Sequence, residues 1–172
     1  ADYFTKKYVD QKLLQRLKRL GCRHLQIGAE SGSQRILDLL KKDMKVEATI
    51  AAAEELAKAE ITGSMSFMFG VPTETKEDTK KTFRLLEKLA GMNSDLYIYG
   101  PQIFRPYPGS SLYNLCVEKG FPDNKKLEDW ATSENKTWAC SSAKEYTWVE
   151  DAALLPLKQL YGKLAYTGVN KG

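Results

Sequence analysis

The sequence predicts an α/β fold built on a short parallel sheet. Three short apolar segments, at residues 22–27, 64–70 and 96–99, are each followed by a polar turn and a segment with helical periodicity. A helix after each strand is the connection that parallel strands need. We therefore expect three successive strand–helix units, with any ligand at the carboxyl ends of the strands.

Composition places the chain among ordinary globular proteins. It has 172 residues, of which 42% are hydrophobic and 28% are charged, so it is one domain or part of a larger one. The net charge of +4 comes from lysines spread along the predicted helices, which indicates solvated helix faces and no nucleic-acid partner. No segment approaches the ~18 apolar residues of a membrane span, and the first residues have no signal-peptide core. These features predict a soluble, cytoplasmic protein with no membrane partner.

Cysteine usage also favours a reducing compartment. Cys22, Cys116 and Cys140 are far apart and odd in number, which fits neither a disulfide framework nor a metal-binding pair. We therefore predict no metal site within this chain, and the residues alone single out no catalytic group.

The first unit begins with a helix over residues 10–20, which Asp10 is placed to cap and Gly21 to end. The strand at 22–27 leads into a turn with a carboxylate, two hydroxyls and two glycines, and a helix follows over 33–41. A helix ahead of a buried strand suggests that an earlier strand is missing or displaced.

The second unit begins with a helix over residues 46–59, whose entry is weakly capped because Lys45 has no oxygen to offer the first amides. After the strand at 64–70, Thr75 and Asp78 have the spacing of a capping box, which predicts a helix to Leu89. The third strand, 96–99, is followed by a proline-rich loop over 100–109 and a helix to about residue 118.

The remaining residues change in character. Residues 121–148 are polar and irregular, and Thr147 with Glu150 has the spacing of a capping box before a last helix. We therefore divide the chain into a domain at 1–120 and an irregular and helical extension at 121–172.

Three motifs in order resemble the radical S-adenosylmethionine (radical SAM) family, and within it the group that follows a cobalamin-binding domain and includes anaerobic magnesium-protoporphyrin ester cyclases. The matching pieces are residues 27–33 with Leu37 and Lys42, residues 69–75, and residues 106–110 with Tyr113. The resemblance implies the last three strand–helix units of a partial TIM-type barrel, the C-terminal half of a radical SAM barrel.

Several positions depart from the family pattern. The cluster-binding CxxxCxxC motif and the first strands are absent, so the resemblance implies a fragment that is inactive alone. Its cofactors would be S-adenosylmethionine, a 4Fe-4S cluster with ligands outside this chain and, as an inference about the parent protein, cobalamin. Thr73 stands where the family usually has Gly, and Lys45 where it usually has a capping Thr.

The resemblance also implies site residues. Glu30 would contact the ammonium or ribose hydroxyls of S-adenosylmethionine, with Ser31 beside it and Lys42 toward the ligand carboxylate. A carboxylate suits an ammonium, but capping of the next helix explains Glu30 and the serines equally well from the residues alone. The remaining expected contacts are Gly70, Val71 and Pro72 beside the adenine, and Tyr99, Arg105 and Tyr107 toward a small-molecule substrate.

Two functions stay open at this level. The first is part of a radical SAM oxidoreductase or methyltransferase, whose partner is the missing N-terminal half of the barrel. The alternative is a non-catalytic α/β module that binds a ligand or another protein, although no glycine-rich phosphate loop supports it. As half of a barrel, the chain would have an open sheet edge at the first strand, which predicts that the isolated chain dimerises or aggregates through that edge.

Overall fold

The computed structural model describes residues 11–92, 95–130 and 146–149, together with residues 158 and 160. Helices and strands alternate along most of the described chain. In chain order the elements are α1 (Gln11–Arg19), β1 (His24–Glu30), α2 (Gln34–Leu39), α3 (Val46–Ala59), β2 (Thr62–Phe69), α4 (Lys76–Ala90), β3 (Leu96–Ile103), α5 (Ser111–Glu118) and α6 (Leu127–Trp130).

The three strands form one parallel sheet in the order β1-β2-β3, which confirms the predicted α/β class. Gln26 of β1 lies opposite Ser64 of β2, which lies opposite Tyr97 of β3. The register shifts once in each pair, between Gly28 and Glu30 and between Ser66 and Met68. Both shifts lie near the carboxyl ends of the strands, where a ligand site is expected. Such irregularities change the direction in which the neighbouring side chains point.

The two faces of this sheet differ in chemistry. One face packs against α1, α3 and α4 in the main apolar core, to which Ile27, Met65 and Phe67 contribute. The other face, which we call the open face, carries Gln26, Ser64, Ser66, Tyr97 and Tyr99. Gln26 and both tyrosines are exposed there. Polar and aromatic side chains on an uncovered sheet face are available for contact with a ligand or with more protein.

Two helix beginnings match the sequence predictions. Thr75 caps α4 in a full capping box, in which its hydroxyl accepts from the Asp78 amide and the Asp78 carboxylate accepts from the Thr75 amide. Lys45 offers α3 no side-chain cap, as expected; instead the side-chain oxygen of Gln34 accepts from the Val46 amide at 3.2 Å. Gln34, at the start of α2, therefore accepts from one of the amides at the start of α3 that have no partner within the helix.

Other predicted boundaries were wrong. The third strand does not end at Tyr99 but continues to Ile103 through Gly100 and Pro101, where a loop was expected. A proline fits there because β3 pairs only with β2 among the described residues, and an edge strand tolerates a missing donor. The first strand begins at His24 and runs to Glu30, and α2 ends at Leu39. Asp10 and Glu150, predicted to take part in capping, lie outside the described residues.

The described helices contain none that is both long and apolar enough to cross a membrane.

Candidate active-site wall at the strand ends

Glu30 ends β1 in the left-handed region of the backbone, with φ of +62°. Its carboxylate is nearly buried and its Oε1 lies 2.7 Å from Nζ of Lys42, beyond the end of α2. A non-glycine residue in this conformation costs on the order of 1–3 kcal/mol, and such strain gathers at functional sites. The structure thus brings together Glu30 and Lys42, two of the predicted ligand contacts.

Gly28 leaves the room that this ion pair occupies. A Cβ atom at Gly28 would lie 2.5 Å from Oε1 of Glu30 and 3.4 Å from Nζ of Lys42. Any larger residue would therefore push the carboxylate off its place beside the sheet. Sequence reasoning did not single out Gly28 for this role, because the space above it is defined only when Glu30 folds back.

Ser31 and Gly32 face the protein interior. The Ser31 hydroxyl is fully buried, lies 3.1 Å from the Thr82 hydroxyl and accepts from the Ser33 amide. A Cβ at Gly32 would lie 2.5 Å from the carbonyl oxygen of Lys81 in α4. The positive φ of this turn belongs to Glu30, and Gly32 is needed for close approach to α4. In this arrangement the Ser31 hydroxyl supports the turn.

Asp78 joins the two helix beginnings nearest the site. Its buried carboxylate accepts from the Ser33 hydroxyl at 2.5 Å, from Thr75 and from Arg35 of α2. Burial alone would raise the pKa of Asp78, but hydrogen bonds from Arg35, Ser33 and Thr75 hold it well below its ordinary value. Asp78 therefore stays ionised and ties the turn after β1 to the turn after β2.

The second turn, residues 70–72, is buried and follows β2 directly. Gly70 has a φ of +78°, and its amide donates to Oε2 of Glu74 at 2.6 Å. The other carboxylate oxygen of Glu74 is buried and has no hydrogen-bond partner among the described residues. Burial raises the pKa of Glu74 to about 7, although the bond from Gly70 opposes the shift.

The predicted substrate-side residues lie on or after the third strand. Tyr99 is exposed on the open face, where it lies opposite Ser66. Arg105 and Tyr107 follow the end of β3, with Arg105 half-buried and Tyr107 exposed. The strand ends therefore present one charged pair from the first unit and polar, aromatic side chains from the third.

Metal-binding chemistry is missing from this wall. Within the described ranges no group of three or more His, Cys, Asp or Glu side chains could hold a metal ion. Burial raises the pKa of the Cys116 thiol to about 11, so it is protonated at neutral pH, and Cys22 lies far from it in sequence. Cys140 lies outside the described residues.

Sequence reasoning missed two residues that hold the second turn. Glu74 was read only as part of a motif, and Trp148 as part of an irregular segment. The indole Nε1 of Trp148 donates to the carbonyl oxygen of Gly70 at 2.8 Å, across 78 positions of the chain. No local sequence pattern predicts a contact over that separation. Glu74 lies only four residues after Gly70, so its contact with the turn was open to prediction from the sequence.

The sequence of this chain is similar to a known protein family and to several known proteins. Residues 3–86 match the model of the radical SAM superfamily. The chain is 30% identical over 108 residues to an uncharacterized methyltransferase of Pyrococcus horikoshii, which covers 63% of this chain and 22% of that protein. It is 32% identical over 101 residues to the tRNA-2-methylthio-N(6)-dimethylallyladenosine synthase of Pelagibacter ubique, covering 58% of this chain and 22% of the synthase.

A third relative is the anaerobic magnesium-protoporphyrin IX monomethyl ester cyclase of Rubrivivax gelatinosus. It is 27% identical over 110 residues, which cover 64% of this chain and 19% of the cyclase. The chain thus spans about a fifth of the length of each of these three curated relatives.

Proposed function

Because residues 3–86 match the model of the radical SAM superfamily, we propose that this chain forms part of the S-adenosylmethionine-binding wall of a radical SAM iron–sulfur enzyme. The whole protein would be an oxidoreductase or methyltransferase that acts on a small-molecule substrate. A bound 4Fe-4S cluster would supply the electron for reductive cleavage of S-adenosylmethionine. The part of the wall in this chain binds and orients the sulfonium ligand.

The Glu30–Lys42 pair is the observation that carries this proposal. S-adenosylmethionine ends in an α-ammonium and an α-carboxylate, so a neighbouring carboxylate and ammonium match it with opposite charges. Glu30 is nearly buried, which makes its interaction with a ligand cation stronger than it would be in water. The ligand would open the 2.7 Å ion pair and satisfy both partners at once.

The described residues fit S-adenosylmethionine better than they fit the cluster. Glu30 and Lys42 fill the space over Gly28 and carry the charges that the amino-acid end of S-adenosylmethionine requires. The described residues offer no metal-binding group, so the cluster ligands of the proposed enzyme would come from elsewhere. No step of the chemistry is therefore assigned to residues of this chain.

The other expected contacts remain proposals. Gly70, Val71 and Pro72 would lie along the adenine, with Ser31 supporting the neighbouring turn from inside. Tyr99, Arg105 and Tyr107 would face the substrate. The resemblance described for the sequence implies cobalamin use by the whole protein. The free thiols Cys22 and Cys116 favour a reducing compartment such as the cytoplasm.

Binding of S-adenosylmethionine to charge-deleted variants tests the proposal. We expect Glu30→Gln and Lys42→Met each to raise the dissociation constant at least about fivefold, because each leaves one end of the ligand unpaired; fivefold is about 1 kcal/mol. Lys41→Met is the matched control, since Lys41 is the exposed neighbour of Lys42. Saturation-transfer NMR or calorimetry measures the affinity, with urea unfolding to check each fold.

Equal affinity in the wild-type protein and both variants would overturn the proposal. So would a loss in Lys41→Met as large as that in Lys42→Met, because that would show a general effect of charge. A wild-type protein that binds no S-adenosylmethionine at millimolar concentration would also count against it.

A further inference from the structure

Both polar groups of the Gly70 backbone are held by side chains from different parts of the chain. Its amide donates to the Glu74 carboxylate at 2.6 Å, and its carbonyl accepts from the Trp148 indole at 2.8 Å. Gly70 is the first residue of the turn after β2 and has a left-handed φ of +78°. Two hydrogen bonds on one residue fix the planes of the peptides on both sides of it.

Trp148 is itself held firmly. Its ring packs edge to face on Phe121, with ring centroids 5.8 Å apart, and lies 5.1 Å from the ring of Tyr146. Tyr146 belongs to the same apolar cluster as Phe69, the last residue of β2. The next residue, Thr147, donates its hydroxyl to the carbonyl of Lys119 after α5. Residues 146–149 are thus docked on the ends of β2 and α5.

We propose that Trp148 is a positioning residue of the ligand site, which with Glu74 sets the orientation of the 70–72 turn. The proposal rests on the proposed function, in which this turn lies along the adenine. Trp148 lies beyond residue 120, in the segment that the sequence analysis treats as a separate extension, so part of this extension would contribute to the site. A misaimed turn would present its backbone groups to the adenine at the wrong angle, and affinity would fall without loss of the fold.

Trp148→Phe is the informative variant, because phenylalanine keeps an aromatic ring against Phe121 and Tyr146 but has no donor for Gly70. Tyr113→Phe is the matched control. Tyr113 packs on Phe121 in the same neighbourhood and donates its hydroxyl to Asp123 at 3.0 Å, so this variant removes a similar bond without touching the turn.

Two measurements decide the proposal. The first is the dissociation constant of S-adenosylmethionine, which we expect to rise about five- to tenfold in Trp148→Phe and to stay within twofold in Tyr113→Phe. The second is hydrogen exchange of the amides of Gly70, Val71, Thr73 and Glu74, which we expect to become faster in Trp148→Phe alone. The amides of α5 serve as the internal reference, since they should exchange at the same rate in all three proteins.

Unchanged exchange at residues 70–74 in Trp148→Phe would overturn the proposal, because the bond would then not hold the turn. Unchanged affinity in that variant, or an equal loss in Tyr113→Phe, would also overturn it. A wild-type protein that binds no ligand would instead defeat the proposed function. In that case exchange alone would decide whether Trp148 holds the turn.

Discussion

At the scale of single residues, Thr73 has an unfavourable backbone conformation. It is β-branched, yet it has a φ of +67°, a region that L residues with branched side chains rarely adopt. The family that this chain resembles usually has glycine at this position. The structure explains this, because the turn requires a residue in the left-handed region. Arg35 binds both the hydroxyl and the carbonyl of Thr73, which holds the strained residue in place.

We expect Thr73→Gly to raise the free energy of unfolding by about 1 kcal/mol. Relief of the left-handed conformation outweighs the exposed hydrogen bond from Arg35 to the hydroxyl, while the bond to the carbonyl remains. Urea denaturation measures the change. Thr73→Ala is the control, because it loses the hydroxyl and keeps the strain, so it should be no more stable than the wild-type protein.

Glu74 makes stability depend on pH. Its pKa rises from 4.5 to about 7 in the folded protein, mainly by burial, so the folded state holds a proton that the unfolded state has lost between these values. Stability should therefore fall as pH rises from about 4.5 to 7, by at most ~3 kcal/mol. The charged groups around it are Lys158, Asp78 and Arg35, and the Asp78 carboxylate is already ionised throughout this interval.

Urea unfolding at several pH values between 5 and 8 tests this dependence. We expect Glu74→Gln to flatten the decline, because glutamine can accept from the Gly70 amide without a charge to bury. Glu77→Gln, an exposed glutamate on the same helix, should leave the slope unchanged. A wild-type stability that rises over this interval would contradict the prediction.

At the scale of elements, α3 begins without a side-chain cap of its own. Lys45 has the extended backbone of a cap residue, with φ of −96° and ψ of 150°, but its side chain accepts nothing. Lys45→Ser should therefore add about 0.5–1 kcal/mol to the free energy of unfolding, because the hydroxyl can accept from an amide of the first turn. Lys45→Ala should change little, and equal stability of the two variants would show that Gln34 already satisfies this end.

Elements were predictable where the signal is local. The bounds of α3 and the capping box of α4 follow from residues close together in sequence, so single-sequence reasoning found both. The extension of β3 through Pro101 was missed, because a proline indicates a loop unless the strand lies at an edge, and position in the sheet is not a local property.

At the scale of the whole molecule, the sequence predicted the parallel sheet, and it predicted that Glu30 and Lys42 contact the same ligand. Their ion pair was not predicted, because each had been assigned separately to a ligand. The Asp78 network and the bond from Trp148 to Gly70 join residues 43 to 78 positions apart, and only the packing of α2, α4 and residues 146–149 defines them.

Sheet edges give the last prediction. Among the described residues β1 and β3 each pair only with β2, so each has one side without a strand partner. Exposed strand edges promote pairing with another chain, and irregularities and prolines suppress it. The edge of β3 contains Pro101 and a register shift, whereas β1 is regular from His24 to Gly28. We therefore expect the 172-residue chain to self-associate through β1.

Sedimentation velocity over a range of concentrations measures this association against the monomer mass of 19.4 kDa. Gln26→Lys should weaken it, because a charge on the regular edge strand opposes pairing with a second copy. Tyr97→Lys places the same charge on the same face of β3, in register through Ser64, and should have little effect. A monomer at high concentration would show that this edge does not pair, and a stronger effect of Tyr97→Lys would place the contact at β3.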